Sequence, residues 1–535
     1  QDKLRFFTTA ATIDDGELKS TILVNNTEAV WHLEGNVDPG DNQLAFKLYA
    51  EHKKVELALI EKKLGLKLSF DTVSTQLKKA FKSGDEFKIQ GAWAIKNLLL
   101  NHPMIASTNI IVPRGAIDAD VVIGENFIAL DSSSVIYLKN IKAHPYLCYT
   151  TTPKKTYALK LKTEELDAQE LFDALPNGIF ESLDGIKVAG KLKYDLDFFL
   201  DSKKPDDVRF NSSLHKSKDF RILKWGKTNL QKINGSFVYT PYEYGKPMRN
   251  IIIGPENSNY TPINEIASDL KNAVLTAEDP SFYSHRGFVE KAFTRSIATN
   301  FKEKAFKRGG STISMQLVKN VFLSRQKTMA RKIEEILIVW LMENNKVSTK
   351  QRMFEVYLNL IEWGPNVYGI AEAARHYFGK QPFELSLGES IFLANIVPRP
   401  KKGLYFFEPD GSLRYGMRGY FKLIGGLMAR RGYASRDTNA YGFYSVRLKE
   451  SLRRQVDPID SVEVDSLYEE EPEGEPKGGF FRNIFKSKRP DSSRIEQTKK
   501  TTPALRDTIL SPAELRLRRR EERKKEREIK RNDGL

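Results

Sequence analysis

The chain has 535 residues, 40% hydrophobic and 11% aromatic, enough for several folded domains and too apolar for wholesale disorder. Its 85 Lys and Arg against 69 Asp and Glu give a formal net charge of +16, so an anionic partner is expected: nucleic acid, phospholipid headgroups or a phosphorylated substrate. Cys148 is the single cysteine, which excludes an intrachain disulfide and a cysteine-rich metal site, and no run of about eighteen apolar residues exists to cross a bilayer as a helix.

Residues 1–240 read as strands. Ile117, Ala119, Val121 and Ile123 alternate with Asp118 and Asp120, the pattern of a strand with one apolar and one wet face. A helix is expected from Thr163 to Leu175, capped by Thr163 and stopped before Pro176. From Ile186 through Val188 and Leu192 to Phe198 the apolar residues keep one phase, which predicts one long strand. Such a sheet must cover its apolar face with helices, another sheet or a lipid-like guest. A chain that starts at Gln1 leads us to expect a removed N-terminal segment, a signal or a membrane anchor.

Residues 241–440 change to helical spacing. Ile333, Ile336, Leu337 and Trp340 fall on one apolar stripe. Gly379 is placed to end a helix over residues 371–378, and Ser386 with Glu389 forms a capping box before an apolar helix over 390–397. Residues 441–535 predict a disordered charged tail, acidic over 460–475 and dominated by Arg, Lys and Glu over 515–531. The fold class expected is therefore α+β and multidomain: a β-rich part, a mostly helical part and a tail.

Four segments of the helical part carry residue types suited to chemistry. Glu278 and Asp279 end a helix over about 262–276, just before Pro280, with Phe282, Tyr283 and His285 nearby. A carboxyl at a helix end beside aromatics can be desolvated, and its raised pKa lets it exchange protons near neutrality. Alone, the pair is an ordinary solvated helix end. Gly309 and Gly310 precede Ser311, Thr312, Gln316, Lys319 and Asn320, free amides and donors that suit a phosphate or sugar, or else a plain capped loop. Lys327, Arg331 and Glu335 share a helix face, as a surface ion pair also would. The fourth segment runs through Glu355, Tyr357, Leu358 and Asn359 to Glu362, Trp363 and Gly364.

Together these segments resemble, in order, the motifs of the family 51 glycosyltransferases, the peptidoglycan polymerases. Glu278, Asp279, Phe282, His285 and Gly287 match the first motif, and Gly309 to Thr312 with Gln316, Lys319 and Asn320 match the second, Met315 replacing a glutamine. Arg331, Lys332 and Glu335 match the third, with Lys327 where an arginine is common, and Glu355 and Tyr357 to Asn359 match the fourth. The similarity covers about 250–430.

The resemblance implies a lysozyme-like helical domain that polymerises lipid II into glycan strands, inverting the donor carbon and releasing undecaprenyl diphosphate. It implies that Glu278 is the base, that Lys319, Lys327 and Arg331 hold the donor diphosphate, and that Ser311, Gln316 and Asn320 line the cleft. Glu335 would orient the basic residues or hold a divalent cation, Mg2+ or Mn2+. The implied partners are lipid II, the growing glycan strand, the membrane surface and other cell-wall synthesis proteins, but no nucleic acid. The implied location is the periplasmic face of the bacterial cytoplasmic membrane. The mixed apolar and basic segment 288–306, with Phe288, Phe293, Ile297, Phe301 and Phe306, is expected to lie in the membrane interface. A lysozyme-like lytic enzyme and a non-catalytic envelope scaffold are the rival readings. The second follows from the first 240 residues, whose strands resemble the amphipathic sheets of AsmA-like envelope proteins.

Overall fold

The computed structural model describes residues 6–24, 29–41, 43–176, 178–243, 245–304, 309–324, 328–437 and 439–456; Lys327, Phe306 and the charged blocks beyond 456 lie outside the described residues. The first half builds one sixteen-stranded sheet. Its main strands are β1 (Phe6–Asp14), β2 (Glu17–Val24), β3 (Ala29–Asp38), β4 (Gln43–Ala50), β5 (Thr72–Ser83) and β6 (Glu86–Asn101). They continue as β7 (Ile110–Ile123), β8 (Phe127–Leu130), β9 (Ile141–Thr150), β10 (Thr156–Thr163), β11 (Lys191–Asp201) and β12 (Arg209–Lys216). Each is the antiparallel neighbour of the next.

Register decides the two faces, because directly opposed residues point the same way. One row runs Ile13, Leu18, Gly35, Phe46, Thr75, Trp93, Ile117 across seven strands. The opposite face carries Asp118 and Asp120 of β7, Lys160 and Lys162 of β10, and Asp195 and Asp197 of β11. The period-two reading of Ile117 to Ile123 therefore holds.

Two expectations for this half are corrected. The long strand is broken at Gly190, whose φ of +97° turns the chain and where a Cβ would meet the Phe220 Cα at 2.6 Å. Residues Lys187–Ala189 pair separately with Arg221–Lys224. The expected helix is shorter, α1 (Ala168–Ala174), and is capped by Asp167, whose side chain accepts from the Glu170 N–H. Thr163 instead ends β10, its hydroxyl accepting from the Tyr194 N–H. The stop at Leu175, before Pro176, is as expected.

The second half is helical: α2 (Ser268–Glu278), α3 (Glu290–Glu303), α4 (Ile313–Phe322), α5 (Met329–Asn344), α6 (Lys350–Leu360), α7 (Ile370–Phe378), α8 (Leu387–Ile396) and α9 (Arg418–Arg430). Thr312, Thr328 and Thr349 cap α4, α5 and α6, each side chain accepting a backbone N–H three residues on. Such a cap contributes about 1 kcal/mol. Gly379 closes α7 in the left-handed conformation, and Ser386 and Glu389 make the expected capping box at the start of α8, which is buried from Gly388 to Ile396. No helix among the described residues is long and apolar enough to cross a membrane.

The predicted stripe on α5 lies partly on the wrong face. Ile333 and Ile336 are 48% and 39% exposed, whereas Glu334 and Glu335 are buried along with Ile338, Val339, Leu341 and Met342. Polar contacts described below turn the two glutamates inward and carry the two isoleucines out.

A single buried cluster extends from Ala168 to Val456. It crosses residue 240, since Leu183, Ile186, Val188, Leu192, Leu230 and Ile233 share it with the helices. It also crosses 440, where Phe443, Val446, Leu448, Leu452 and Val456 are buried. The expected start of the tail at 441 is corrected: the chain stays packed to Val456, with Gly442 so close to α8 that a Cβ on Gly388 would meet its carbonyl at 2.5 Å.

Candidate active site

The end of α2 places Glu278. One of its oxygens accepts from the Gln316 Nε2 at 2.8 Å, and the Gln316 Oε1 accepts from the Tyr357 hydroxyl at 2.9 Å. Burial pushes the Glu278 carboxyl above its ordinary range; Gln316 and the Lys319 cation pull it back in part, while the neighbouring Asp279 pushes it further up. Tyr357 is fully buried, and burial together with the charges of Glu278 and Asp279 holds its phenol well above its usual value. It therefore stays protonated, donates to Gln316 and so fixes which end of that amide faces Glu278.

Asp279 points the other way. Its Oδ2 lies 2.8 Å from the His285 Nε2 and accepts from the Ile313 N–H at 3.1 Å. The His285 Nδ1 accepts from the Gly287 N–H at 2.9 Å, and the Thr312 hydroxyl donates to the Gly287 carbonyl at 2.6 Å. Gly287 has a φ of +92°, and a Cβ there would meet the Val339 Cγ1 at 2.4 Å, so only glycine fits. The adjacent acids thus have different surroundings: Asp279 ties the loop over 280–287 to the start of α4, whereas Glu278 meets the Gln316 side chain.

A second cluster lies on the first turns of α5. Glu335 is buried, with one oxygen 3.4 Å from the Arg331 Nη1 and the other 2.6 Å from the Lys332 Nζ. Lys332 also stands 3.5 Å from the Ser311 hydroxyl, immediately before the Thr312 cap of α4. The same short segment therefore serves both clusters. Two cations around one buried acid leave a net positive site beside the exposed Ser311 hydroxyl and a helix start, which can hold a diphosphate. Both Glu335 oxygens are engaged, an arrangement that suits orientation of the cations better than metal ligation. Among the described residues no group of three or more His, Cys, Asp and Glu is arranged to hold a metal ion.

A family model described as transglycosylase matches residues 244–412. A biosynthetic peptidoglycan transglycosylase of Dechloromonas aromatica is 42% identical over 180 residues, 34% of this chain and 75% of that protein. The chain belongs to the transglycosylase family. Biosynthetic peptidoglycan transglycosylases of Nitrosomonas eutropha and Paraburkholderia xenovorans are 45% identical over 137 residues and 39% over 153, which is 26% and 29% of this chain. The chain spans 55% and 62% of those two relatives' lengths.

Within the transglycosylase domain, Glu278 and Gln316 meet directly, and Lys319, exposed on α4, acts on Glu278 through its charge. Asn320 is partly buried one turn after Gln316. Ser311, Arg331 and Glu335 gather around Lys332. Sequence reasoning left Lys332 out of the site, although its spacing of three from Glu335 was a usable signal. It also missed Tyr357 as a hydrogen-bond donor and Arg431, whose Nη1 lies 3.4 Å from the Thr276 hydroxyl on α2; no local pattern flags the last of these. Met315, a departure from the motif, is fully buried in the core, so it changes packing rather than the cleft.

Proposed function

We propose that this chain is a peptidoglycan glycosyltransferase that extends glycan strands from lipid II in the bacterial cell envelope, with its helical part a lysozyme-like domain. The observation that carries this reading is the pairing of one raised-pKa carboxyl, Glu278, with a separate cation cluster, Arg331 and Lys332 on Glu335, linked through the start of α4. An inverting transfer needs both: a base on the acceptor hydroxyl and positive charge on the departing diphosphate. Glu278 takes the proton of the acceptor's 4-hydroxyl as that oxygen attacks the donor carbon. The bond to the diphosphate breaks, and Arg331 and Lys332 hold the charge that forms on it, with Ser311 donating and Lys319 and Lys327 adding positive charge. Gln316 and Asn320 position sugar hydroxyls. Glu335 orients the two cations. A lytic hydrolase has no use for a diphosphate site, which favours synthesis over that rival.

The membrane surface, an anchor outside the described residues, and other cell-wall synthesis proteins are partners this reading calls for, because its donor is a lipid. The test is incubation of the purified chain with the lipid-linked disaccharide precursor, followed by sizing of the products. Long glycan strands are expected; release of short fragments from finished wall, with no growth from precursor, would overturn it.

A further inference from the structure

The large sheet keeps its apolar face uncovered over much of its width. The row Phe87, Ile123, Ile128, Tyr149, Tyr157, Leu200 crosses six strands from β6 to β11. Phe87, Ile123 and Ile128 are 42%, 38% and 48% exposed, and Leu147 in the next row is 45% exposed. Apolar side chains left open in adjacent strands form a patch rather than scattered surface residues, and such patches mark binding surfaces. On this face lies a cavity of about 430 Å³, lined by Val121, Ile128, Leu130, Leu147, Tyr157 and Phe198 among others. That volume is in the range of small-molecule sites. The lining carries no charged side chain, and its polar side-chain atoms are confined to Cys148, Tyr149 and Tyr157, so most of the wall is hydrocarbon or aromatic.

What fits it is indicated by what stands next to it. The same face continues under α3, where Ile297 and Phe301 pack on Tyr157, Phe198, Leu200 and Val208. Phe293 of α3 lies against Phe210 of β12, ring centroids 6.0 Å apart. The expected interfacial segment thus spends much of its apolar side on the sheet. The first turn of α3 in turn backs onto the glycine loop: a Cβ on Gly310 would sit 3.4 Å from the Ala292 carbonyl and 3.5 Å from the Phe293 Cα. Ser311 follows, 3.5 Å from the Lys332 ammonium. Cavity, α3, glycine loop and cation cluster are therefore joined by consecutive contacts. One ligand chemistry suits both ends of this path, a long hydrocarbon chain carrying a diphosphate.

We propose that the apolar face of the β-sheet, at the cavity between β7 and β11, holds the polyprenyl chain of the lipid-linked substrate whose diphosphate is held at Arg331 and Lys332. This rests on the glycosyltransferase reading and assigns the first half of the chain a share in substrate binding. Binding of polyprenyl diphosphate and of inorganic diphosphate to the full chain in a detergent-free buffer tests it. Ile128→Glu and Leu147→Glu place charge on exposed positions of the face, and Ile128→Ser with Leu147→Ser is a milder pair, each checked for an unchanged thermal midpoint. Polyprenyl diphosphate is expected to bind at least tenfold more weakly to these variants, inorganic diphosphate unchanged. Arg331→Ala is expected to weaken both ligands. Equal polyprenyl diphosphate affinity in the parent and in the sheet variants, with Arg331→Ala still impaired, would overturn the sheet site while leaving the catalytic reading intact. Palmitate competing as well as polyprenyl diphosphate would overturn the assignment of the occupant. Failure of Arg331→Ala to affect either ligand would instead count against the diphosphate site itself.

Discussion

Glu334 is the residue whose loss should show most directly how the two halves depend on each other. It is 1% exposed, and its Oε1 accepts from the backbone N–H groups of Glu181, Ser182 and Leu183 at 3.0, 2.7 and 3.0 Å. Nearby, the Ser182 hydroxyl donates to the Phe322 carbonyl at the end of α4, and the Met329 and Ala330 N–H groups donate to the carbonyls of Met104 and Ile105. The first half of the chain therefore grips the first turns of the helix that carries Arg331, Lys332 and Glu335. In Glu334→Ala, Ser182 and Leu183 keep buried amides with no acceptor, at a cost of about 2 kcal/mol each, while the Glu181 amide can turn to water. Relief of the carboxylate's own burial, which pushes its pKa up despite the three amides, returns part of this. A net loss of about 3 kcal/mol is expected, and of about 1 kcal/mol for Glu334→Gln, which keeps an acceptor oxygen. The assay is urea unfolding followed by tryptophan fluorescence, since Trp340 is buried on the same helix and its indole N–H donates to the Leu214 carbonyl. Polymerisation should fall alongside, mainly as a raised KM for donor, with recovery in the glutamine variant. An alanine variant within about 0.5 kcal/mol of the parent would refute the reasoning, because two orphaned buried amides cannot be that cheap.

Glu278→Gln should lower polymerisation by at least about a hundredfold, the scale of base catalysis, as measured by glycan chain growth; a rate above about a tenth of the parent's removes Glu278 as the base. Because burial raises the folded pKa of Glu278, its contribution to stability is present at low pH and lost as pH rises through that pKa, so at neutral pH the glutamine variant should unfold at the same temperature as the parent or higher. The same shift means the parent's rate should fall on acidification at a pH above the ordinary glutamate range, and a pH–rate profile with its acidic limb in that ordinary range would contradict it. Arg331→Ala should weaken donor use and Glu335→Gln should impair turnover severely, since each breaks the cluster around Lys332; unchanged kinetics with purified donor in both would show the cluster to be structural. Residues 241–440 expressed alone should fail to give a cooperative thermal transition, because Leu183, Leu230, Ile233, Val446 and Leu448 belong to the same buried cluster, whereas a chain ending at 456 with its first half intact should give one.

The sequence alone determined those features whose physics is local. Period-two alternation placed the apolar face of β7, and the Ser386–Glu389 and Gly379 signals placed helix ends, because caps and pleat depend on neighbours within a few residues. The ordered motifs singled out Glu278, Gln316, Arg331 and Glu335 as candidates, since residue types and spacing are legible without the fold. Tertiary structure decided the rest. Gly190 broke a strand whose apolar phase ran unbroken through it, because Phe220 packs where a side chain would be. Two glutamates took the inner face of α5 from Ile333 and Ile336, because three backbone amides meet the carboxylate of Glu334 there and two cations meet that of Glu335. The adjacent acids Glu278 and Asp279 look equivalent in the sequence, and only the positions of His285 and of Ile313 and Gln316 on α4 separate the one that ties the loop down from the one we propose as the base.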